Sequence, residues 1–589
     1  MKTNEMLLQR TFRRFMRKMI ANNLMIFLGS IVNGIVISRW LGTEAMGAFQ
    51  LTLPLIFVVM MFSQILSMGV QNCCAKSLGA GDRESAERYY TTACLVGLPF
   101  SLFLAAGMFF CADGLAALLG AEGAAGGLHR HAVDYLQGIS FGIPLLLFIP
   151  MQVSVLFLAG GAKYAMRAIA AQTVVNIVGA LLNVLWLEGG MLGMGLVMSL
   201  TYLVSLAVMV RGGGSGCIGL RRHGMSLRYV WPVLRIGLPS AVDRFYKSVQ
   251  MFVVDHALLA AAPGVAIAAF ADINALNNIL NPVVMGLSAT TLTMAGVFVG
   301  EGDRLSLCSL LNIAVKHTVL VTLAVALLVF AAAPQLIGLF VAEGEAFDAA
   351  VEALSIYIWY LPLYGVNNVL QKYYLGVNAM KMTYLTSLLD NLLFICLLAW
   401  GLGQRFGAVG VWYAFLLAEL LTAVTLLLVI ACKNGRWPRS AFDYACLPSH
   451  VAATVPAFAA SVSDMGEAAA ASEGARQYLL AHGASERDAA LMALCIEEMG
   501  GNIIRWGFQD GKKHSIDILV TKKSGWTLRI RDDCAAFDPK QWLQIHEADD
   551  PIRNIGIRTV CAMADDVRYS RPLGLNYLFI DIGKESPAT

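Results

Sequence analysis

Charge is scarce in this chain of 589 residues, where Asp, Glu, Lys and Arg together make up only 14%. So small a share excludes a string of ordinary soluble domains, in which about a quarter of the residues are charged. Cys-x-x-Cys pairs are absent, and the 12 cysteines lie scattered, with no histidine at metal-ligand spacing. Neither a disulfide scaffold nor a zinc site is indicated, and the thiols read as reduced and mostly buried. A phosphate loop of the GxxxxGK[ST] type is missing, so nucleotide chemistry on such a loop is not expected. No long basic run carries interleaved aromatics, and a net charge of +3 says little about partners; no nucleic-acid partner is expected. The apolar run after Lys18 is followed by no small-residue cleavage pattern, so it reads as a span and not a secretory signal.

What is present is apolar. Hydrophobic residues make up 57%, with 55 Gly and 26 Met, and the mean hydropathy is +0.64. A helix needs about 18 to 20 apolar residues to cross about 30 Å of hydrocarbon. Runs of that kind lie near 19–42, 47–75, 91–118, 134–158, 165–187, 190–210, 234–260, 265–298, 309–332, 353–376, 383–402 and 407–431. They predict a twelve-span, all-α membrane unit, with kinks or breaks at Pro54, Pro144, Pro239, Pro282 and Pro362. Arg10, Arg13, Arg14, Arg17 and Lys18 precede the first span. Lys76, Arg83 and Arg88 follow the second, Lys163 and Arg167 the fourth, and Arg211, Arg221, Arg222 and Arg228 the sixth, while alternate loops are poor in Lys and Arg. By the positive-inside rule both ends of the unit are expected in the cytoplasm of a cell-membrane protein.

One short phrase occurs twice. Gly79, Gly81, Asp82, Arg83 and Ser85 recur 221 positions later as Gly300, Gly302, Asp303, Arg304 and Ser306, each time after a long apolar run. Tyr135 and Tyr357, and the stretches "LAGGAK" and "LGVNAMK", repeat at nearly the same offset. The offset predicts two parallel six-helix lobes, residues 1–222 and 223–435, related by an axis along the membrane normal. Two such lobes enclose a central cleft that rocking opens to either side.

The segments "RWLGTEAMGAFQLTLPLI", "AKSLGAGDRESAERYY" and "RIGLPSAVDRF" resemble the multidrug and toxin extrusion family over roughly residues 10–435. That resemblance implies export of a small amphiphilic or cationic compound in exchange for H+ or Na+. Intramembrane polar groups are where such chemistry belongs, because an ionised group in hydrocarbon is costly unless it faces a cavity or a partner. The second lobe holds most of them, and the transport candidates are Asp243, Lys247, Asp272, Asn278 and Asp390, with Asn33 in the first lobe. Asn33 stands where proton-coupled relatives often place an aspartate, and Lys247 where many place a carboxylate. For Asp243 and Lys247 the plainer reading is an i,i+4 ion pair on one helix face. For the asparagines it is hydrogen bonding between helices.

After a linker at 436–449, residues 450–589 turn acidic and alternate between strand and helix patterns, which predicts a cytoplasmic α/β sandwich hanging beneath the membrane unit. "EEMGGNII", "IRDDCAAFDP" and "NIGIRTV" together resemble the GHKL (histidine-kinase-like) ATPases, closest to the anti-sigma-factor serine kinases. The resemblance implies ATP and Mg2+ as cofactors, Asn502 as the metal ligand and Glu498 as general base. It also implies Asp532 at the adenine, and Phe537, Asn554, Gly556 and Arg558 around the nucleotide. The usual glycine after the aspartate is Cys534 here, and the position four after Asn502 is Trp506. The expected function is a secondary antiporter with a nucleotide-binding regulatory tail, its partners a small-molecule substrate, membrane lipid and a cytoplasmic protein. The alternatives are a membrane-anchored signalling kinase with a transporter-like sensor and a lipid-linked sugar flippase.

Overall fold

The computed structural model describes residues 5–121, 127–212, 226–261, 265–338, 344–448, 451, 458–522, 525–545 and 555–583. The first lobe is built from α1 (Glu5–Val36), α2 (Gly42–Gly79), α3 (Arg83–Phe110), α4 (Ala112–Ala116), α5 (Leu128–Ser140), α6 (Ile143–Leu158), α7 (Ala162–Leu182) and α8 (Gly190–Gly212). The second comprises α9 (Val230–Ala261), α10 (Val265–Glu301), α11 (Arg304–Ala331), α12 (Ala333–Ile337), α13 (Glu345–Tyr357), α14 (Leu361–Gly376), α15 (Met380–Leu388) and α16 (Phe394–Asn434), followed by the short α17 (Ala441–Tyr444).

Among the described residues, nine helices are long and apolar enough to cross a membrane, or ten if the pair α5 and α6, bent by 53°, counts as one span. The expected twelve differ at two places. Asp243, Arg244, Lys247 and Asp255 make α9 too charged for a purely apolar criterion. The 383–402 and 407–431 runs form one helical stretch whose backbone breaks at Gly407 (φ 66°, ψ −151°). Pro144 and Pro362 each sit in the first turn of the helix after such a break, where a missing N–H is harmless. Pro54, Pro239 and Pro282 lie inside helices.

The repeated phrase forms the same turn twice. Gly81 and Gly302 both have φ of 74°, the left-handed region that favours glycine. Asp82 Oδ1 caps the next helix by accepting from Ser85 N at 2.9 Å, and Asp303 Oδ1 accepts from Ser306 N at 2.9 Å. The approach of the helices repeats as well. A Cβ on Gly79 would lie 2.0 Å from the Val297 carbonyl oxygen, and one on Gly300 2.0 Å from that of Lys76. Backbone therefore touches backbone where α2 crosses α10, and the two contacts are equivalent under the repeat.

Gly69 against Val233, Gly237 against Ile65 and Gly286 against Ile20 bring α2 to α9 and α1 to α10 in the same way. Gln71 donates to Thr293 at 2.6 Å and Asn72 to the Leu375 carbonyl at 2.8 Å. Among the described residues, these contacts between the lobes lie toward the end that carries the repeated turns. The cleft is therefore shut at that end.

The tail is a five-stranded antiparallel sheet in the order β1-β2-β3-β5-β4. Its strands are β1 (Phe458–Val462), β2 (Ile516–Lys522), β3 (Trp526–Asp532), β4 (Asp566–Ser570) and β5 (Asn576–Ile582). Helices α18 (Met465–Ala481), α19 (Glu486–Asn502) and α21 (Ile555–Met563) cover one face. Between β3 and β4 lies a further two-turn helix, α20 (Pro539–Ile545).

Strand alternation sends Ile516, Ile518, Leu528, Ile530, Leu578 and Ile580 into the core beneath the helices. The other face carries Asp517, Arg529, Arg531, Tyr577, Phe579 and Asp581, and these too are buried. The tail does not hang free: its second face lies against the membrane unit.

The α2–α10 crossing yields a stability test. Gly300→Ala puts a Cβ into backbone that cannot yield cheaply and should lower stability by about 1–3 kcal/mol. Gly401→Ala, at a helical position with open space, should leave stability unchanged or raise it. Thermal unfolding of the detergent-solubilised chain measures both, and equal midpoints would contradict the crossing.

Candidate functional sites in the second lobe and the tail

Inside the second lobe, three helices converge on one carboxylate. Asp243 of α9 is 7% exposed. Its Oδ1 accepts from Gln371 Nε2 of α14 at 2.8 Å, Ser387 Oγ of α15 at 2.8 Å and Asn391 Nδ2 at 2.9 Å. Lys247 Nζ lies 4.0 Å from Oδ2, donates to the Tyr364 hydroxyl at 3.2 Å and sits 5.5 Å from that ring. The i,i+4 pair therefore exists, but as one part of a larger cluster.

Asn391 and Asp390 belong to a wide π-helical turn, Leu389–Leu393, that continues α15. Such a turn turns two polar side chains inward at adjacent positions and often marks a functional site. Asp390 lies beside Glu419 of α16, and Asn367 donates to Glu419 Oε2 at 2.8 Å. Beside them Asn277 donates to the Tyr357 hydroxyl at 2.5 Å and accepts from Tyr360 at 2.7 Å.

Of the candidates, Asp243, Lys247 and Asp390 thus come together. Asn278 is exposed, and the side chain of Asp272 lies outside the described residues. Asn33 is in the other lobe, where its amide and that of Asn176 both donate to Met198 Sδ, at 3.1 and 3.0 Å. Glu419 escaped the sequence reading although its signal was there, as the one acidic residue in the apolar run 407–431.

In the tail, α19 ends at Asn502, and Glu498 one turn earlier faces the start of α21. A Cβ on Gly556 would lie 1.8 Å from Glu498 Oε2, so the start of α21 packs directly against that side chain, which a larger residue would push aside. Asp532 ends β3, its Oδ1 accepting from Cys534 N at 2.9 Å and Asn576 Nδ2 at 2.8 Å. Burial holds its carboxyl above the usual range, against those hydrogen bonds. Phe537 is 40% exposed, its ring 6.3 Å from Trp542. Arg558 lies on α21, partly buried, and Asn554 lies outside the described residues.

A cavity of about 350 Å³ next to this turn is lined by Trp506, Gly507, Gln509, Asp510, Asp533, Cys534 and Ala535. His514 closes one side, its Nδ1 2.7 Å from Asp533 Oδ1 and its Nε2 2.6 Å from Asp510 Oδ1. His514, Asp533 and Cys534 bring ligand atoms within 4.8 Å of one another. Both imidazole nitrogens are taken by carboxylates, so the trio is a charge clamp in this arrangement and not a metal site. Burial opposes protonation of His514, but the two carboxylates outweigh it and raise its pKa above 6.5.

The fold and the two sites place the chain in a class: a multi-pass carrier of two parallel helical lobes joined to a histidine-kinase-like domain. The MatE family model matches residues 19–182 and 239–400, and the "Histidine kinase-like ATPase domain" model matches 461–577. The chain belongs to the MatE family.

It is 21% identical over 379 residues to the "Probable multidrug resistance protein YoeA" of Bacillus subtilis, covering 60% of this chain and 78% of that protein. It is 21% identical over 421 residues to the "Multidrug export protein MepA" of Staphylococcus saprophyticus, covering 69% and 91%. Among solved structures, a MATE complex with MaD3S superposes with a TM-score of 0.66 at 21% identity, covering 72% of this chain and 97% of that one. A multidrug resistance MATE transporter in an outward-facing conformation gives 0.65 at 22%, covering 72% and 97%.

His514 has a pH signature. Its folded pKa is raised, so the stability it contributes is complete below about pH 6.5 and fades as pH rises through the folded value. The tail's unfolding transition in the full chain should fall between about pH 6 and 9, and His514→Gln should flatten that dependence. A wild-type transition that does not move with pH would contradict the clamp.

Proposed function

We propose that the chain is a secondary antiporter of the cell membrane that exports small amphiphilic or cationic compounds in exchange for H+ or Na+, with both ends of the membrane unit in the cytoplasm. The observation that carries this reading is Asp243, a carboxylate inside a membrane lobe held by three neutral donors and one ammonium. Such a site is expensive in hydrocarbon, and its occupancy by a proton or a cation changes what Lys247, Gln371, Ser387 and Asn391 pair with. The closeness of Asp390 and Glu419 supports an exchangeable proton beside it, because two neighbouring carboxyl groups buried from water resist carrying two negative charges. The relatives' multidrug names supply the substrate class.

Asp243→Asn keeps the shape and most of the hydrogen bonds but removes the charge. Gradient-driven uptake of a fluorescent cation into inverted vesicles should fall by about tenfold or more, with the protein still folded and inserted. Unchanged uptake at every pH and sodium concentration would refute the assignment.

We infer further that the tail binds Mg-ATP, because the histidine kinase-like ATPase domain model matches residues 461–577. Asn502 would hold the magnesium, Asp532 and Phe537 the base, and Arg558 the phosphates. ATP would supply the phosphoryl group, and Glu498 would take the proton from an attacking hydroxyl. In the purified full chain, Asn502→Ala should abolish binding of a fluorescent ATP analogue with magnesium. Glu498→Gln should keep binding and lose any phosphoryl transfer. Absence of binding by the folded wild type would leave a protein-binding scaffold.

A further inference from the structure

The buried polar face of the tail's sheet belongs to neither site. In a two-layer domain this face would meet water, and its residues suit water: Asp517, Arg529, Arg531, Arg568 and Asp581. Instead Arg529 and Arg531 are 3% and 0% exposed. They reach the second copy of the repeated turn. Arg529 pairs with Glu301, with Asp303 at 2.8 Å and, on its own sheet, with Asp517. Arg531 donates to Ser306 Oγ at 3.1 Å and to Asp517 at 2.6 Å, and lies 5.1 Å from the Phe298 ring.

The first copy of the turn is held by different residues of the same face. Arg568 Nη1 donates to the Ala80 carbonyl at 3.3 Å, and the Phe579 ring lies against Gly81. Gly574 and the Arg571 carbonyl pack on Gly160, in the turn after α6. Leu573, Leu575, Tyr577 and Phe579 join the same apolar cluster as Leu78, Val297 and Phe298 of the two lobes. One rigid sheet therefore grips both halves. Arg568 on β4 and Arg529 on β3 flank β5, and strands lie about 4.8 Å apart. The sheet thus fixes the two arginine positions about 10 Å apart, on either side of Phe579.

We propose that this face recognises the paired turns only in their closed arrangement, so that the docked tail holds the cleft shut at that end and the cleft opens toward the tail only when the tail lets go. The inference deepens the antiporter reading, since it concerns the rocking that such transport requires. Rocking that parts α2 from α10 would carry the first turn from the second, and the sheet could keep Arg568 on Ala80 or Arg529 on Glu301, but not both.

Spin labels on Arg83→Cys and Arg304→Cys, one per turn, test this in the full chain in lipid nanodiscs, with the exposed Cys111 and Cys432 replaced by serine. Double electron–electron resonance should give one distance population in the chain with an intact interface. A Glu301→Gln, Asp303→Asn pair on the membrane side should bring in a second, longer population. It should rise from a minor state below about a tenth to a substantial share. Arg529→Gln with Arg531→Gln should do the same from the tail side, and two independent routes guard against simple misfolding of the tail. Unchanged distances in both pairs would overturn the proposal. Because no transport is read, a shift in distance without gradient-driven uptake would refute the antiporter reading and leave this inference standing.

Discussion

The contact on which the structure depends is the crossing of α2 and α10, where Gly79 and Gly300 let backbone meet backbone. Any larger residue would hold these helices apart, and the lobes with them. The crossing does three things at once. It closes one end of the cleft, it brings two copies of one turn side by side, and so it makes a composite surface that neither lobe presents alone. The Asp caps and left-handed glycines give both turns the same shape, but their neighbours differ. The second turn has Glu301 where the first has Ala80, and it is Glu301 that pairs with Arg529 and Arg531, whereas the first turn offers Arg568 a backbone carbonyl.

Burying that ionic cluster is costly, and what offsets the cost is the number of opposite charges packed together, although Glu301 Oε1, Arg529 Nε and Arg531 Nε have no hydrogen-bond partner among the described residues. Two guanidinium groups meet three carboxylates, a hydroxyl and two aromatic rings. The arginines hold the Asp303 carboxyl below its usual range despite the burial. Removing one partner of such a cluster typically costs about 3–5 kcal/mol because the rest is left unpaired. A network of this kind gives little net attraction but much selectivity, because parting its charges leaves them buried and unpaired. That property suits a surface meant to distinguish a closed pair of turns from a parted one.

Much of this was legible in the residues. The apolar runs, the repeat at a constant offset and the acidic α/β tail marked the lobes and the domain, because those signals are local in sequence. Asp243, Lys247 and Asp390 stood out because charge in an apolar helix is rare, and Glu419 carried the same mark. The docking was not legible. "WTLRIRDD" alternates apolar and charged residues as any half-exposed strand does. Only the partner, more than 200 residues away, shows that its charged face is buried. By contrast the boundary between the runs 383–402 and 407–431 was legible, and the backbone breaks there at Gly407.

The central claim is that the tail's sheet covers both repeated turns together. Hydrogen–deuterium exchange on the full chain, compared with a chain ending at residue 448, reads this directly from the amides around Ala80–Ser85 and Glu301–Ser306. The account predicts that removing the tail raises exchange in both segments in parallel, while the core of α2 near Gln71 changes little. Equal exchange in the two chains, or a change in only one of the turns, would contradict it.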